Sequence, residues 1–111
     1  MISEKLLQIY LMKEARCMGI YARKMVARGH AGFPDVMLAR DGWVVLVKLK
    51  NPNGLGKLSP KQEHEIGLLR DAGVEVRVID SKGACDDMVS RMVRGPIYGD
   101  RGYGGRGYGG K

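Results

Sequence analysis

Three charged side chains, Asp35, Lys48 and Lys50, are predicted to meet at one end of a short hairpin. Apolar runs flank Asp41-Gly42, a dipeptide typical of a two-residue hairpin loop because both residues tolerate positive φ. Counting back from the loop places Asp35 opposite position 48, with the two Cβ atoms about 5 Å apart. Side chains alternate along a strand, so Lys50 shares that face. The three charged side chains are therefore predicted to form one polar cluster at the end of an otherwise apolar sheet. The same count predicts three further pairs: Arg40 with Trp43, Leu38 with Val45, and Val36 with Val47.

Four short motifs occur in a specific order around this cluster. Ser-Glu opens a predicted helix at residues 3–4, and Gly-Phe-Pro-Asp occupies residues 32–35. Lys-Leu-Lys follows at residues 48–50, and Leu-Ser-Pro-Lys-Gln at residues 58–62. The chain resembles the PD-(D/E)XK nucleases, whose pattern is proline-aspartate, a strand, and then an acid, any residue and a lysine. The four motifs together resemble the virus-type replication-repair nuclease family, VRR-NUC. The resemblance departs at Lys48, where that family has its second metal-binding acid.

The resemblance implies an α/β fold with a PD-(D/E)XK restriction-endonuclease-like core, in which helices flank a mixed sheet with a central β-hairpin. It implies a nuclease domain, which we place over residues 1–94. The change in composition after that point predicts a flexible tail over residues 95–111, in which Arg-Gly-Tyr-Gly-Gly occurs twice. Such a tail cannot bury enough apolar surface to order itself. Its arginines and tyrosines either stack on single-stranded bases or add only weak charge.

The resemblance also implies phosphodiester hydrolysis with Mg²⁺ or Mn²⁺, ions that bind hard oxygen ligands and activate water. Carried over to this chain, Asp35 is the main metal ligand and Leu49 supplies a backbone carbonyl. Lys50 is the catalytic lysine that orients the water and neutralises charge developing on the phosphate. Glu4, as a helix-borne acid near the metal, and Gln62, near the attacking water, support them.

Glu4 and Gln62 each have a simpler interpretation as well. Glu4 is an acid in a first helical turn, where the helix dipole favours it. Gln62 completes a capping box with Ser59 and caps its own helix. Gln62 also shares a helical face with Ile66 and Leu69, so its side chain is predicted to point towards the sheet. Both interpretations stay open for each residue.

Lys48 changes the predicted centre by two charge units, because it removes a negative ligand and adds a positive group. Its ammonium is expected to pair with Asp35 and to take the metal's place. We therefore expect a chain that is nuclease-like in shape, weak or inactive as an enzyme, and a poor binder of divalent metal.

The formal charge of +7 predicts attraction to polyanions. Arg23, Lys24 and Arg28 precede the Pro-Asp motif, and they either contact DNA phosphates or form a solvated edge. The resemblance implies a structure-specific endonuclease of phage or prophage replication or repair, acting as a homodimer on branched DNA. The alternative is a noncatalytic nucleic-acid-binding module that uses the basic groups and the tail.

The location of the protein is predicted to be the cytoplasm, that of the host cell if a phage encodes it. No apolar run is long enough to span a bilayer, and the N-terminus has no signal-peptide pattern. Cys17 and Cys85 are lone cysteines without metal-like spacing, as expected for free thiols. An enzyme that uses His or Cys without metal has little support, because no nucleophile-base pair is recognisable.

The remaining elements follow from periodicity and capping residues. A helix is predicted from Ser3 to Met18, with Met18 in its apolar stripe, and a strand over residues 20–26. A second helix begins after Ser59 and ends at Gly73. A strand over residues 74–80 is predicted to lie parallel to the one carrying Lys48, followed by a helix over residues 85–93.

Overall fold

The computed structural model describes residues 3–29, 32–51 and 57–95, which form a mixed α/β fold. The predicted tail, apart from Gly95, lies outside the described residues, as does His30. None of the helices in the described part is long and apolar enough to cross a membrane. The elements are α1 (Glu4–Cys17), β1 (Tyr21–Lys24), β2 (Val36–Arg40), β3 (Trp43–Leu49), α2 (Pro60–Asp71), β4 (Val76–Ile79) and α3 (Lys82–Arg94).

The four described strands form one mixed sheet in the order β1-β2-β3-β4. The first three strands are antiparallel, and β4 lies parallel to β3, as predicted for the crossover through α2. The loop residues of the β2-β3 hairpin have positive φ, 51° at Asp41 and 81° at Gly42. All three predicted pairs, Arg40 with Trp43, Leu38 with Val45 and Val36 with Val47, are present. The expected mixed sheet with a central hairpin and flanking helices is therefore confirmed.

The two faces of the sheet bury different helices. Alternate residues of β3, from Val45 to Leu49, pack with Leu7 and Leu11 of α1 and with Met92 of α3. Leu46 points the other way and packs with α2. Each fully buried aliphatic side chain contributes about 1.5–3 kcal/mol to folding. The face that carries α2 has fewer buried apolar residues, and it is the face that Lys48 and Lys50 share, since side chains alternate along a strand.

Serine caps fix where the helices begin. Ser3 accepts a hydrogen bond from the Leu6 N–H, and Ser59 and Gln62 form the predicted capping box. Ser81 accepts from the Ala84 N–H at 3.0 Å, so α3 begins at Lys82, three residues before the predicted start. The inward position predicted for Met18 is also wrong, because its side chain is 50% exposed beyond the end of α1.

A polar contact joins α1 to α3 beside the core. The Tyr10 hydroxyl donates to Asp86 Oδ1 at 2.7 Å, and Lys82 Nζ lies 5.1 Å from the centre of the Tyr10 ring. This hydrogen bond, together with partial desolvation and the Asp86 charge, raises the pKa of Tyr10 to about 12. Burial raises the pKa of the neighbouring Cys85 thiol to about 12 as well, so Cys85 is a packed thiol rather than a reactive thiolate.

The Gly-Phe-Pro-Asp segment contacts the first turn of α2 through Gly32. Its φ is +98°, and a Cβ at this position would lie 2.7 Å from the Gln62 Cα and 3.0 Å from the Gln62 Cγ. Pro34, two residues later, is fully buried. Glycine is therefore required at position 32 both by the backbone conformation and by the close approach, which holds the loop before Asp35 against α2.

We expect Gly32→Ala to lower the free energy of unfolding by about 2 kcal/mol or more, because it combines positive-φ strain with backbone overlap. Gly73→Ala is the matched control, since Gly73 has a φ of +93° but no atom within 4 Å of an added Cβ. Urea unfolding of both variants measures the difference. Equal losses would show that the contact with Gln62 is not a close one.

Candidate active site

Asp35 stands directly before β2 and is held by main-chain hydrogen bonds on both sides. Its N–H donates to the Val47 carbonyl and its carbonyl accepts from the Met25 N–H, each at 2.8 Å. The regular pairing of the hairpin ends at Val36 and Val47, so Asp35 does not continue the predicted register with Lys48. Instead, Asp35 Oδ2 accepts from the Leu49 N–H at 2.8 Å. The carboxylate thus accepts the Leu49 N–H hydrogen bond in place of a main-chain carbonyl, at the end of the β2-β3 hydrogen-bond pattern.

Lys48 nevertheless meets Asp35, as the hairpin predicted. Its Nζ lies 3.5 Å from Asp35 Oδ1, which makes a long ion pair. The Lys48 side chain is 10% exposed and that of Asp35 is 29% exposed. Lys48 and Lys50 are the buried charged residues of the described chain. The ammonium of Lys48 therefore sits against the carboxylate at the position where the VRR-NUC pattern has a second acid.

Lys50 contacts the first turn of α2 on the same face. Its Nζ donates to Gln62 Oε1 at 3.3 Å, and the same oxygen accepts from the Ser59 N–H at 2.8 Å. The amide oxygen of Gln62 thus both caps α2 and contacts Lys50, while the predicted place of Gln62 near a metal and an attacking water stays a prediction. Sequence reasoning gave no indication that this oxygen is shared.

The charges of this site do not fit a divalent cation. Within the described residues, no three His, Cys, Asp or Glu side chains come together. The two Asp35 oxygens are taken by the Leu49 N–H and by Lys48, and the Lys50 ammonium adds a second positive charge. Hard cations require several oxygen ligands. One carboxylate beside two ammonium groups attracts an anion better than a metal ion.

Glu4 is exposed in the first turn of α1. The buried residues of that helix pack on the face of the sheet opposite Lys48. The structure thus shows Glu4 as the first-turn acid of its own helix, and its predicted role near a metal stays a prediction.

The predicted basic group is divided between the faces of the sheet. Arg23 pairs with Met37 and Lys24 with Val36, so their side chains point in opposite directions. Arg23 shares the face of Lys48, where its guanidinium donates to the Tyr21 hydroxyl at 3.3 Å. Arg28 lies exposed in the loop after β1. All three are exposed, and their contact with DNA stays a prediction.

Val78 is a neighbour of the site that the sequence did not reveal. It lies directly beside Lys48 in the parallel β3-β4 pair and is 38% exposed. A long crossover through α2 leaves the register of a parallel pair open, so counting residues could not place it. Val78 marks an open side of the site next to Lys48.

The mixed sheet, its central hairpin and the Asp35 cluster define an α/β fold of the PD-(D/E)XK nuclease type. Among solved structures, the chain is similar to one described as a VRR_NUC domain, with a TM-score of 0.68 and 26% sequence identity. The similarity covers 79% of this chain and 95% of that one. No protein-family model and no curated protein matches the chain. The resemblance seen in the motifs is therefore confirmed by a VRR_NUC structure, and it points to a nuclease-like domain.

Because of the ion pair, we expect Asp35 and Lys48 to stabilise the fold together by more than the sum of their separate contributions. We expect Asp35→Asn to cost about 1–3 kcal/mol of stability, because it leaves the buried Lys48 ammonium without its counter-charge. Lys48→Met in the same chain is expected to recover most of that loss. A double-mutant cycle from urea unfolding measures the coupling. Additive effects would mean that the two groups do not interact in solution.

Proposed function

We propose that this chain has the architecture of a metal-dependent, structure-specific DNA endonuclease of phage replication or repair, and that Lys48 makes its nuclease activity weak or absent. The observation that carries the proposal is the Lys48-Asp35 ion pair at 3.5 Å, on a fold similar to a VRR_NUC domain. In that class Mg²⁺ or Mn²⁺ supplies an activated water and charge neutralisation at the phosphate.

The chain keeps the residues that orient the reacting groups. The Leu49 N–H fixes the Asp35 carboxylate, and Gln62 holds the Lys50 ammonium. In the proposed function, Lys50 neutralises charge on the phosphate, while Leu49 offers a carbonyl and Glu4 a more distant acid. What is missing is the second carboxylate on the hairpin.

Electrostatics explains why one substitution is sufficient. Two unit charges about 4 Å apart interact by on the order of 4 kcal/mol near a protein surface. With a lysine at position 48 in place of an acid, the attraction between this side chain and a divalent cation becomes a repulsion of comparable size. Each 1.4 kcal/mol is a tenfold change in affinity. The expected loss of metal affinity therefore spans several powers of ten.

The proposed partner is branched or structured DNA. The net charge of +7 and the exposed Arg23, Lys24 and Arg28 support phosphate contacts. A homodimer would present two centres to the two strands of such a substrate. The proposed organisation is a nuclease domain over residues 1–94 with a basic tail over residues 95–111. We place the protein in the cytoplasm, that of the host if a phage encodes it, which the free thiols of Cys17 and Cys85 support.

A second candidate function is a noncatalytic nucleic-acid-binding module. The observation that favours it is the excess of ammonium groups over carboxylates at the site. Such a module would bind DNA with the basic face and the tail, and a restored acid would not make it cleave. Restoring the acid at position 48 therefore separates the two candidates.

We expect Lys48→Glu to nick branched DNA in the presence of Mg²⁺ or Mn²⁺ at least about 100-fold faster than the wild type, because it restores a carboxylate ligand for the metal ion that would activate water and neutralise charge on the phosphate. The measurement is release of labelled strands on denaturing gels. Lys13→Glu is the matched control, since it makes the same charge change at an exposed position of α1.

Two outcomes decide the proposal. Cleavage by Lys48→Glu that is absent from Lys13→Glu and from Lys48→Glu in EDTA supports an endonuclease disabled at one position. A folded Lys48→Glu protein that binds DNA and leaves it intact with either metal would contradict the proposal and favour the noncatalytic module.

A further inference from the structure

The misfit between this site and a divalent cation indicates what the site can bind. One carboxylate and two ammonium groups share the α2 face, and both lysines are buried. We propose that Lys48 takes the place of the cation, and that Lys48 and Lys50 together bind a DNA phosphodiester directly, without a divalent metal. The inference rests on the proposed function for the choice of DNA as the ligand.

Lys48 is held where it can act as a fixed cation. The Leu49 N–H orients the Asp35 carboxylate, whose other oxygen lies 3.5 Å from the Lys48 Nζ. An ammonium group has three N–H donors and no acceptor. One donor directed at Asp35 leaves two for another anion. Lys48 therefore supplies positive charge at the hairpin as a covalently attached group.

Lys50 brings a charge that Asp35 does not balance. Its hydrogen bond goes to Gln62 Oε1, a neutral amide oxygen. Asp35 offsets one of the two ammonium groups, so the three side chains carry one excess positive charge. A buried charge without a counter-charge is costly, and a nearby anion lowers that cost. A phosphodiester carries the single negative charge that this site lacks.

Two groups next to the buried lysines are partly exposed. The Asp35 side chain is 29% exposed, and Val78, which lies beside Lys48, is 38% exposed. Partial burial also strengthens a charge-assisted hydrogen bond, because less water competes for the ammonium protons. A phosphate at the open side is thus expected to contact both lysines while the apolar stems of the lysines stay buried.

The test is metal-free binding of a fluorescein-labelled DNA duplex, followed by fluorescence anisotropy in EDTA over a series of NaCl concentrations. Each phosphate contact that is lost reduces the slope of log K against log[salt] by about 1. We expect Lys48→Gln and Lys50→Gln each to reduce the slope by that amount. Lys13→Gln, which removes the same charge from the exposed surface of α1, is expected to keep the wild-type slope.

Two further variants separate charge from misfolding and from metal. Lys48→Arg keeps the positive charge and is expected to retain the wild-type slope, and circular dichroism confirms folding of each variant. When NaCl is replaced by MgCl₂ at equal ionic strength, the DNA affinity of the wild type is expected not to rise. The DNA affinity of Lys48→Glu is expected to rise with Mg²⁺. If Lys48→Gln does not fold, Lys48→Met removes the same charge and gives the same readout.

Slopes for Lys48→Gln and Lys50→Gln that match Lys13→Gln would overturn the inference. A wild-type affinity that rises with Mg²⁺ would overturn it as well. These outcomes are independent of strand cleavage. If Lys48→Glu nicks DNA but the slopes of Lys48→Gln and Lys50→Gln are unchanged, the proposed function stands and the phosphate site is wrong. If those slopes are reduced but Lys48→Glu does not nick DNA, the phosphate site stands and the proposed function is wrong.

Discussion

The contact between the Asp35 carboxylate and the end of β3 is the constraint on which the site depends. Asp35 leaves the regular ladder and uses its side chain to accept the Leu49 N–H, at 2.8 Å. This hydrogen bond fixes one carboxylate oxygen on the hairpin and turns the other towards residue 48. Whatever side chain occupies position 48 is therefore brought against a negative charge. In this chain it is a lysine, and the centre becomes an ion pair.

Local rules were sufficient to predict the hairpin and two of the helix starts. Asp41-Gly42 fixes the register of β2 and β3, because a two-residue loop determines which residues of the two strands face each other. Ser59 identifies the start of α2 through its capping box. The meeting of Asp35 with Lys48 followed from the same count. The resemblance between the motifs and the VRR-NUC pattern supplied the fold class, which neither composition nor charge could give.

The parts that could not be predicted depend on tertiary contacts. Val78 lies beside Lys48 because of the parallel pairing, whose register is set by how α2 packs and not by loop length. The shared oxygen of Gln62 depends on the distance between β3 and α2. Met18 was expected inside from helical periodicity, but α1 ends before it and its side chain is half exposed. Arg23 and Lys24 looked like one basic group, and strand alternation separates them.

Fold and chemistry thus carry different information about this chain. The fold of this chain is similar to that of a VRR_NUC domain, while position 48 carries a lysine where the VRR-NUC pattern has an acid. The most direct measurement is a crystal structure of the wild-type chain grown with Mn²⁺, using anomalous scattering to locate the metal. We expect no manganese peak beside Asp35, with the Lys48 ammonium in contact with the carboxylate. A manganese ion bound to Asp35, with Lys48 turned away, would contradict it.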